Sequence, residues 1–446
     1  MEELFAITSW LSAALTTALL GWLFFRRRHM FVRPSVIILI FFNLRIQWAA
    51  AVESFHIFDA LFAPWHFWLL TQAMPLLILA PLCAVKSTLS ERVWKGLQEP
   101  VPPEAHRDMR RVTVLLLVGF GIIAFYYLTV VPFRQTGLYM IVTNPLRSIQ
   151  AREESLKLIP NPVLRYSYSW ARDLVGPLAA ALVTLNLIER RRQMAKLKAL
   201  GGHVALLGLI VIGVSFTGAR AGAAGVTLAI ILTVWLRKGT PFRAVYLLVG
   251  ALVVLSGPVV ITILRGGEAL SFDRFVNYMF GPMFGRVFVT PMETCLWHVH
   301  FPQVNDFVGV RGIRPLAILF GEEYVNLPNV IGLAYAANPI LTVSANTSFV
   351  HDFYACFGLF SIPLSVACWL GLDLFLVPLR RPSPINAAII AVLWLRCSFF
   401  MSSAYLVNFT THGLLLLFVF AVFWQRRLGK REAQLHPSLT PGGARL

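Results

Sequence analysis

Long apolar stretches separated by short polar connections repeat along almost the whole chain. About eleven of them are close to the ~20 residues that an α-helix needs to cross a hydrocarbon layer of about 30 Å. We therefore predict an all-α polytopic membrane protein with about eleven transmembrane helices. The predicted spans are 4–25, 34–53, 62–86, 111–133, 166–188, 201–218, 221–236, 243–264, 351–379, 385–404 and 406–425.

The composition agrees with this pattern. Of the 446 residues, 57% are hydrophobic and 13% are charged. A soluble domain of this length carries more charge, so residues 1–446 are predicted to form one integral membrane domain. The five cysteines form no CxxC pair and no zinc-site spacing, and we expect no disulfide framework.

Most of the 39 lysines and arginines lie on alternate connections, which assigns those connections to the cytoplasmic side. The N-terminus is then outside and the tail 426–446 inside. Two longer loops are left on the outer side, 134–165 and 265–350, and the second is predicted to carry short half-buried helices. Because much of the net charge of +18 follows this pattern, it indicates anionic lipid rather than nucleic acid as the partner.

The stretch SFTGARAGAAG, residues 215–225, interrupts an apolar segment with basic residues at both flanks. A single helix over 201–236 would be about 54 Å long, which exceeds one membrane thickness. Both flanks belong to the same side, so the segment is predicted to form a short hairpin. Glycine permits the tight reversal, and Arg220 lies at the outer tip.

Arginines on the predicted outer side run against the usual charge distribution and need a local reason. Their planar guanidinium binds phosphate or carboxylate groups in a bidentate manner, so we predict an anionic ligand. The alternatives are pairing with loop carboxylates such as Glu293 and Asp306, or contact with lipid headgroups. Arg45, inside a span, is expected to pair with Glu53 or to reach the headgroups. The candidate ligand-binding residues are Arg220, Arg286, Arg314, Arg152 and Arg396.

General acid or base chemistry has three main candidates in the sequence, His351, Asp352 and Glu293. His298 and His300 with Glu293 are weak evidence for a metal site, and we predict neither a metal nor a cofactor. The sequence also has no DxD motif, Walker loop or GxGxxG fingerprint to hold a nucleotide. A cationic outer pocket in a membrane protein therefore suggests a lipid-linked phosphate as the ligand.

Three features resemble the Wzy-type O-antigen and enterobacterial-common-antigen polymerases. The turn GARAG in a short hairpin is similar to the glycine-arginine turn of that family. A long outer loop precedes the last three spans and ends in NTSFVHDFYACFGLFSIPL, with a Phe-Gly pair leading into a helix. The arginine-bearing stretch LYMIVTNPLRSIQAREESLK in the first outer loop also fits.

The resemblance implies a GT-C-like, metal-independent glycosyltransferase in the bacterial inner membrane, with its active site facing the periplasm. Such an enzyme transfers a growing glycan from one undecaprenyl diphosphate carrier to the sugar of another. The donor and acceptor are both lipid-linked, and a chain-length regulator protein is a further expected partner. In this hypothesis Arg220, Arg286 and Arg314 stabilise the leaving diphosphate, and His351 acts as base, with Asp352 and Glu293 as alternates.

Two other functions remain open at the level of sequence. An O-antigen ligase would use the same donor with lipid A core as acceptor, and its arginines would look much the same. A transporter or flippase of a lipid-linked glycan would usually show repeat symmetry and charges along a path through both leaflets. Here the candidate charges are predicted to gather on one side.

Overall fold

The computed structural model describes residues 1–99, 103–144, 147–190, 197–218, 220–238, 263, 271–335 and 344–435. Within them the chain is helical, and the only β-type pairing is an isolated bridge between Ser348 and Ser403. The predicted all-α class is confirmed. The predicted span 243–264 falls almost wholly outside the described residues.

The first part of the chain forms fourteen α-helices in the described residues. They are α1 Glu2–Arg26, α2 Pro34–Phe42, α3 Trp48–Val52, α4 Ser54–Ala60, α5 Pro64–Trp68, α6 Met74–Ala84, α7 Thr88–Gln98, α8 Pro103–Val130, α9 Gly137–Thr143, α10 Ser148–Lys157, α11 Pro162–Trp170, α12 Gly176–Arg190, α13 Leu197–Ser215 and α14 Arg220–Lys238.

The second part adds nine more, several of them short. They are α15 Phe272–Tyr278, α16 Thr290–Val304, α17 Arg314–Phe320, α18 Leu327–Tyr335, α19 Phe349–Phe357, α20 Ser361–Gly371, α21 Ile385–Ser398, α22 Tyr405–Thr410 and α23 Leu414–Leu435. Single turns of π-helix join or precede several of these, at Asn43–Gln47, Leu69–Ala73, Ala171–Val175, Met279–Met283 and Gly285–Val289.

Six helical stretches of the described residues are long and apolar enough to cross a membrane. They are Glu2–Arg26, Pro34–Val52, Pro64–Ala84, His106–Val130, Pro162–Glu189 and Phe349–Leu379. Shorter apolar helices lie at Gly201–Ser215 and Ile385–Met401. These stretches support a membrane-embedded protein, and each coincides with a span predicted from the sequence.

The chain forms two compact units, and each is described by itself. The first unit comprises Met1–Thr88, Leu255–Leu374 and Arg396–Asn408. The second comprises Leu89–Val254, Phe375–Leu395 and Phe409–Leu446.

In the first unit, α16 packs directly on α19. The interior there includes Leu327, Ile331, Ala355 and Cys356, with Trp297 and Phe301 packed against them. Burial of α16 goes beyond the half-buried loop helix that the sequence predicted. Eight of the nine residues of α19 are buried, so this helix lies in the interior of the unit along nearly its whole length.

In the second unit, α12 packs against α8, α13 and α14. The predicted helix break is confirmed, since α13 ends at Ser215 and α14 begins at Arg220, with Gly218 at a positive φ of 71°. Glu189 and Arg237 join the far ends of α12 and α14 in an ion pair of 2.5 Å. Gly222, near the start of α14, lies against Arg172 in the π-helical turn Ala171–Val175, which leads into α12. The two helices are therefore parallel, and α13 runs back between their ends.

Candidate functional site

In the first unit, the segment 308–325 is held on α19 by one backbone hydrogen bond and one close contact, and a second backbone hydrogen bond joins two parts of the segment itself. The Val308 N–H donates to the Ala355 carbonyl oxygen over 3.2 Å, and the Val325 N–H donates to that of Arg311 over 2.9 Å. A Cβ at Gly312 would lie 2.5 Å from Cys356 Sγ, so only glycine allows this approach. The anchored segment carries Arg314 at the first position of α17.

Three arginines are exposed on this part of the first unit, Arg286, Arg311 and Arg314. None of them forms an ion pair with a described residue. Pairing of Arg286 with Glu293, or of Arg314 with Asp306, was the alternative to ligand binding. Neither pair is found among the described residues, and these guanidinium groups are therefore open to an external anion.

Asp352 lies in the first turns of α19 and is buried, with 3% of its surface exposed. Its charge is one of the influences on the pKa of Tyr324, which belongs to the anchored segment. Partial burial raises the pKa of Tyr324, the negative charge of Asp352 raises it further, and Arg314 opposes this rise. The pKa of Tyr324 is therefore influenced in opposite directions by a predicted base, Asp352, and a predicted anion-binding residue, Arg314. Tyr324 was not among the sequence candidates because spacing alone does not reveal this neighbourhood.

His351 is fully buried in the first unit. Its Nδ1 is 2.6 Å from Ser348 Oγ, and its ring lies near the rings of Phe42 and Phe67 with centroid distances of 6.2 and 5.7 Å. Its Nε2 has no hydrogen-bond partner among the described residues. A base must reach the hydroxyl that it deprotonates, and this position gives His351 no exposed edge.

The two remaining sequence candidates of the first unit, Glu293 and Arg396, differ in how deeply they are buried. Glu293 is half-buried in the first turn of α16. Arg396 is 3% exposed, with its guanidinium carbon 4.6 Å from the ring centroid of Phe399. It therefore lies in the interior rather than at an outer surface.

Arg45 does not form the ion pair with Glu53 that was one of its two expected roles. Its Nε–H donates instead to the Val287 carbonyl oxygen over 3.4 Å. The π-helical turn Gly285–Val289, which also carries Arg286, supplies that oxygen. A carbonyl partner leaves the charge of Arg45 without a carboxylate among the described residues.

The histidines of α16 point to different partners. Nδ1 of His298 is 2.8 Å from the Thr294 carbonyl oxygen, and Nδ1 of His300 is 2.5 Å from the Tyr335 hydroxyl. Among the described residues, no cluster of three or more His, Cys, Asp or Glu side chains could hold a metal ion.

The candidates of the second unit are Arg152 in α10 and Arg220 at the start of α14. Their side chains lie outside the described part of the chain, so the description is limited to their backbone positions. The second unit also contains a group that the sequence argument passed over, the adjacent pair Arg172 and Asp173. Two oppositely charged neighbours within an apolar span were the available signal for it.

Comparison with protein-family models, with curated proteins and with solved structures gives no match for this chain.

Proposed function

We propose that this protein is a membrane glycosyltransferase that polymerises lipid-linked oligosaccharide repeat units. The donor glycan leaves one undecaprenyl diphosphate carrier and is joined to the sugar of a second carrier-linked unit. The observations that support this best are the exposed arginines Arg286 and Arg314 of the first unit, which form no ion pair with a described residue, and the half-buried carboxylate of Glu293. A diphosphate-binding cation and a carboxylate are the two groups that the reaction requires.

The proposal includes a topology of eleven spans in the bacterial inner membrane. The N-terminus is periplasmic, the C-terminus is cytoplasmic, and the active site faces the periplasm. The geometry of the second unit supports this arrangement. The Glu189–Arg237 ion pair brings together two segments whose basic flanks were assigned to the cytoplasm.

In the proposed reaction, the acceptor hydroxyl oxygen attacks the anomeric carbon of the donor sugar. The bond between that carbon and the diphosphate oxygen breaks, and its electron pair stays on the diphosphate. Exposed guanidinium groups such as Arg286 and Arg314 stabilise the charge that grows on this leaving oxygen. The proton of the acceptor hydroxyl passes to a carboxylate. Glu293, which is half-buried, is favoured for this role over Asp352 and His351, because both of these are buried.

Purified protein incubated with lipid-linked repeat units tests the proposal directly. A ladder of glycans that differ by one repeat unit is the expected result. Product that forms only when lipid A core is added would indicate a ligase. Movement of the lipid between leaflets without a new glycosidic bond would indicate a transporter, and either result would overturn the proposal.

Replacing Arg220 tests the contribution of the hairpin turn. We expect Arg220→Ala to abolish elongation in a protein that still inserts and folds. Arg220→Lys should also lose most activity, because an ammonium group cannot reproduce bidentate binding. Glycan lengths on a gel give the measurement, and wild-type lengths in Arg220→Ala would contradict this role.

A further inference from the structure

A buried ion pair in the second unit lies where one membrane-spanning helix is interrupted. Nε–H and Nη2–H of Arg172 donate to the two carboxylate oxygens of Asp173 over 2.8 and 2.6 Å. Their side chains are 13% and 6% exposed. Both residues belong to the π-helical turn Ala171–Val175, and such single turns recur at functional sites.

The hairpin turn of α13 and α14 reaches this ion pair. A Cβ at Gly222 would lie 3.1 Å from Cγ of Arg172 and 2.7 Å from the Val214 carbonyl oxygen. The absence of a side chain at Gly222 keeps the α14 backbone clear of the Val214 carbonyl oxygen and close to the Arg172 side chain. Arg172 therefore lies beside the first turn of a 19-residue helix.

The side chain of Thr217, in the hairpin turn, carries a buried hydroxyl group without a hydrogen-bond partner among the described residues. A buried hydroxyl without a partner costs about 1–3 kcal/mol, so its retention beside a helix start needs a reason. A bound anion would accept the hydroxyl hydrogen and also interact with the N–H groups at the start of α14.

We propose that Arg172, Thr217 and the first turn of α14 form a binding site for a phosphate or diphosphate group. Asp173 holds the guanidinium plane in place, and Nη1 of Arg172 remains to donate to the ligand. The inference rests on the proposed function in one respect, namely that the phosphate belongs to the lipid carrier. Binding of the phosphate group itself stands apart from any catalysis.

A second arginine-carboxylate pair in the same unit shows the difference between a structural pair and this one. Nε–H of Arg237 donates to Glu189 over 2.5 Å, and its Nη1–H donates to the Leu97 carbonyl oxygen over 2.5 Å. Both Nε–H and Nη1–H of Arg237 thus donate hydrogen bonds to other groups of the protein. Nη1 of Arg172 has no such contact with a described residue.

Binding to the full-length protein in lipid nanodiscs tests the site. Inorganic pyrophosphate and vesicle-borne polyprenyl diphosphate are the two probes, and they separate the free group from the lipid-linked one. Arg172→Lys should weaken binding of both by about tenfold or more, because the charged, directional hydrogen bonds are lost. Thr217→Val, which removes only the hydroxyl, should weaken binding several-fold. Arg237→Lys is the matched control and should bind as the wild type does.

Wild-type affinity in a folded Arg172→Lys protein would overturn the site. If that variant does not fold, Thr217→Val decides the question, and unchanged affinity there overturns it. Failure of the wild type to bind either probe would do so as well. Phosphate binding that depends on Arg172, in a protein that makes no glycan ladder, would instead contradict the proposed function and leave the binding site in place.

Discussion

Asp373 in the first unit accepts hydrogen bonds from three groups. Nε–H of Arg33 donates over 2.6 Å, the Ser35 N–H over 3.0 Å and the Ser35 hydroxyl over 2.8 Å. We expect Asp373→Ala to lower the free energy of unfolding by about 3 kcal/mol, because it leaves a largely buried arginine without its partner. Thermal unfolding in detergent measures the change.

The exposed pair Glu91 and Lys95 is the control for that loss. Its side chains are 49% and 69% exposed and lie one helical turn apart in α7. Glu91→Ala should change stability by no more than about 0.5 kcal/mol, since surface pairs gain little. Similar losses in both variants would contradict a special role for Asp373.

His298 gives the protein a pH-dependent stability. Burial lowers the pKa of His298 from 6.5 to about 4. Between those values the unfolded chain binds the proton and the folded protein does not, so stability should be fully present above pH 6.5 and fall as the pH approaches 4. We expect His298→Gln to reduce this slope, measured as unfolding midpoints from pH 7 to pH 4.5. An equal slope in variant and wild type would show that other groups are responsible.

At the scale of elements, the hairpin turn is held by the first loop. The Leu138 N–H donates to the Phe216 carbonyl oxygen over 3.0 Å, and a Cβ at Gly137 would lie 2.0 Å from the Thr217 carbonyl oxygen. We expect Gly137→Ala to destabilise the second unit by about 1–3 kcal/mol, because the backbones must move apart. Limited proteolysis and thermal unfolding would report the change.

Gly119→Ala is the matched control, since nothing lies within 4 Å of a Cβ at that position in α8. It should be neutral or slightly stabilising, because alanine favours a helix more than glycine does. A loss in Gly119→Ala equal to that of Gly137→Ala would contradict the contact with Thr217.

At the same scale, the π-helical turns were beyond sequence analysis. Arg45, Arg172 and Arg286 each lie in one. Apolar periodicity predicted the spans that contain Arg45 and Arg172 as continuous helices, because one inserted residue barely alters a pattern averaged over a whole span. The inserted residue turns the following side chains, and that change depends on packing against neighbouring helices.

At the scale of the whole molecule, the distribution of basic residues makes a topology prediction. A reporter fused after residue 220 should be exposed on the outer side of the membrane, and reporters after residues 192 and 240 should be cytoplasmic. Alkaline phosphatase and green fluorescent protein fusions measure this in cells. A cytoplasmic position for residue 220 would remove the outward hairpin from the proposal.

The sequence by itself determined the helical class, the position of six helices long and apolar enough to cross a membrane, and the break between α13 and α14, because membrane thickness acts on local runs of residues. It also selected Arg314 and Asp352 as candidates. Only the tertiary structure decided that His351 is buried, that α16 belongs to the interior, and that Arg172 lies beside the first turn of α14. Those features depend on contacts between residues far apart in the chain, which no local pattern encodes.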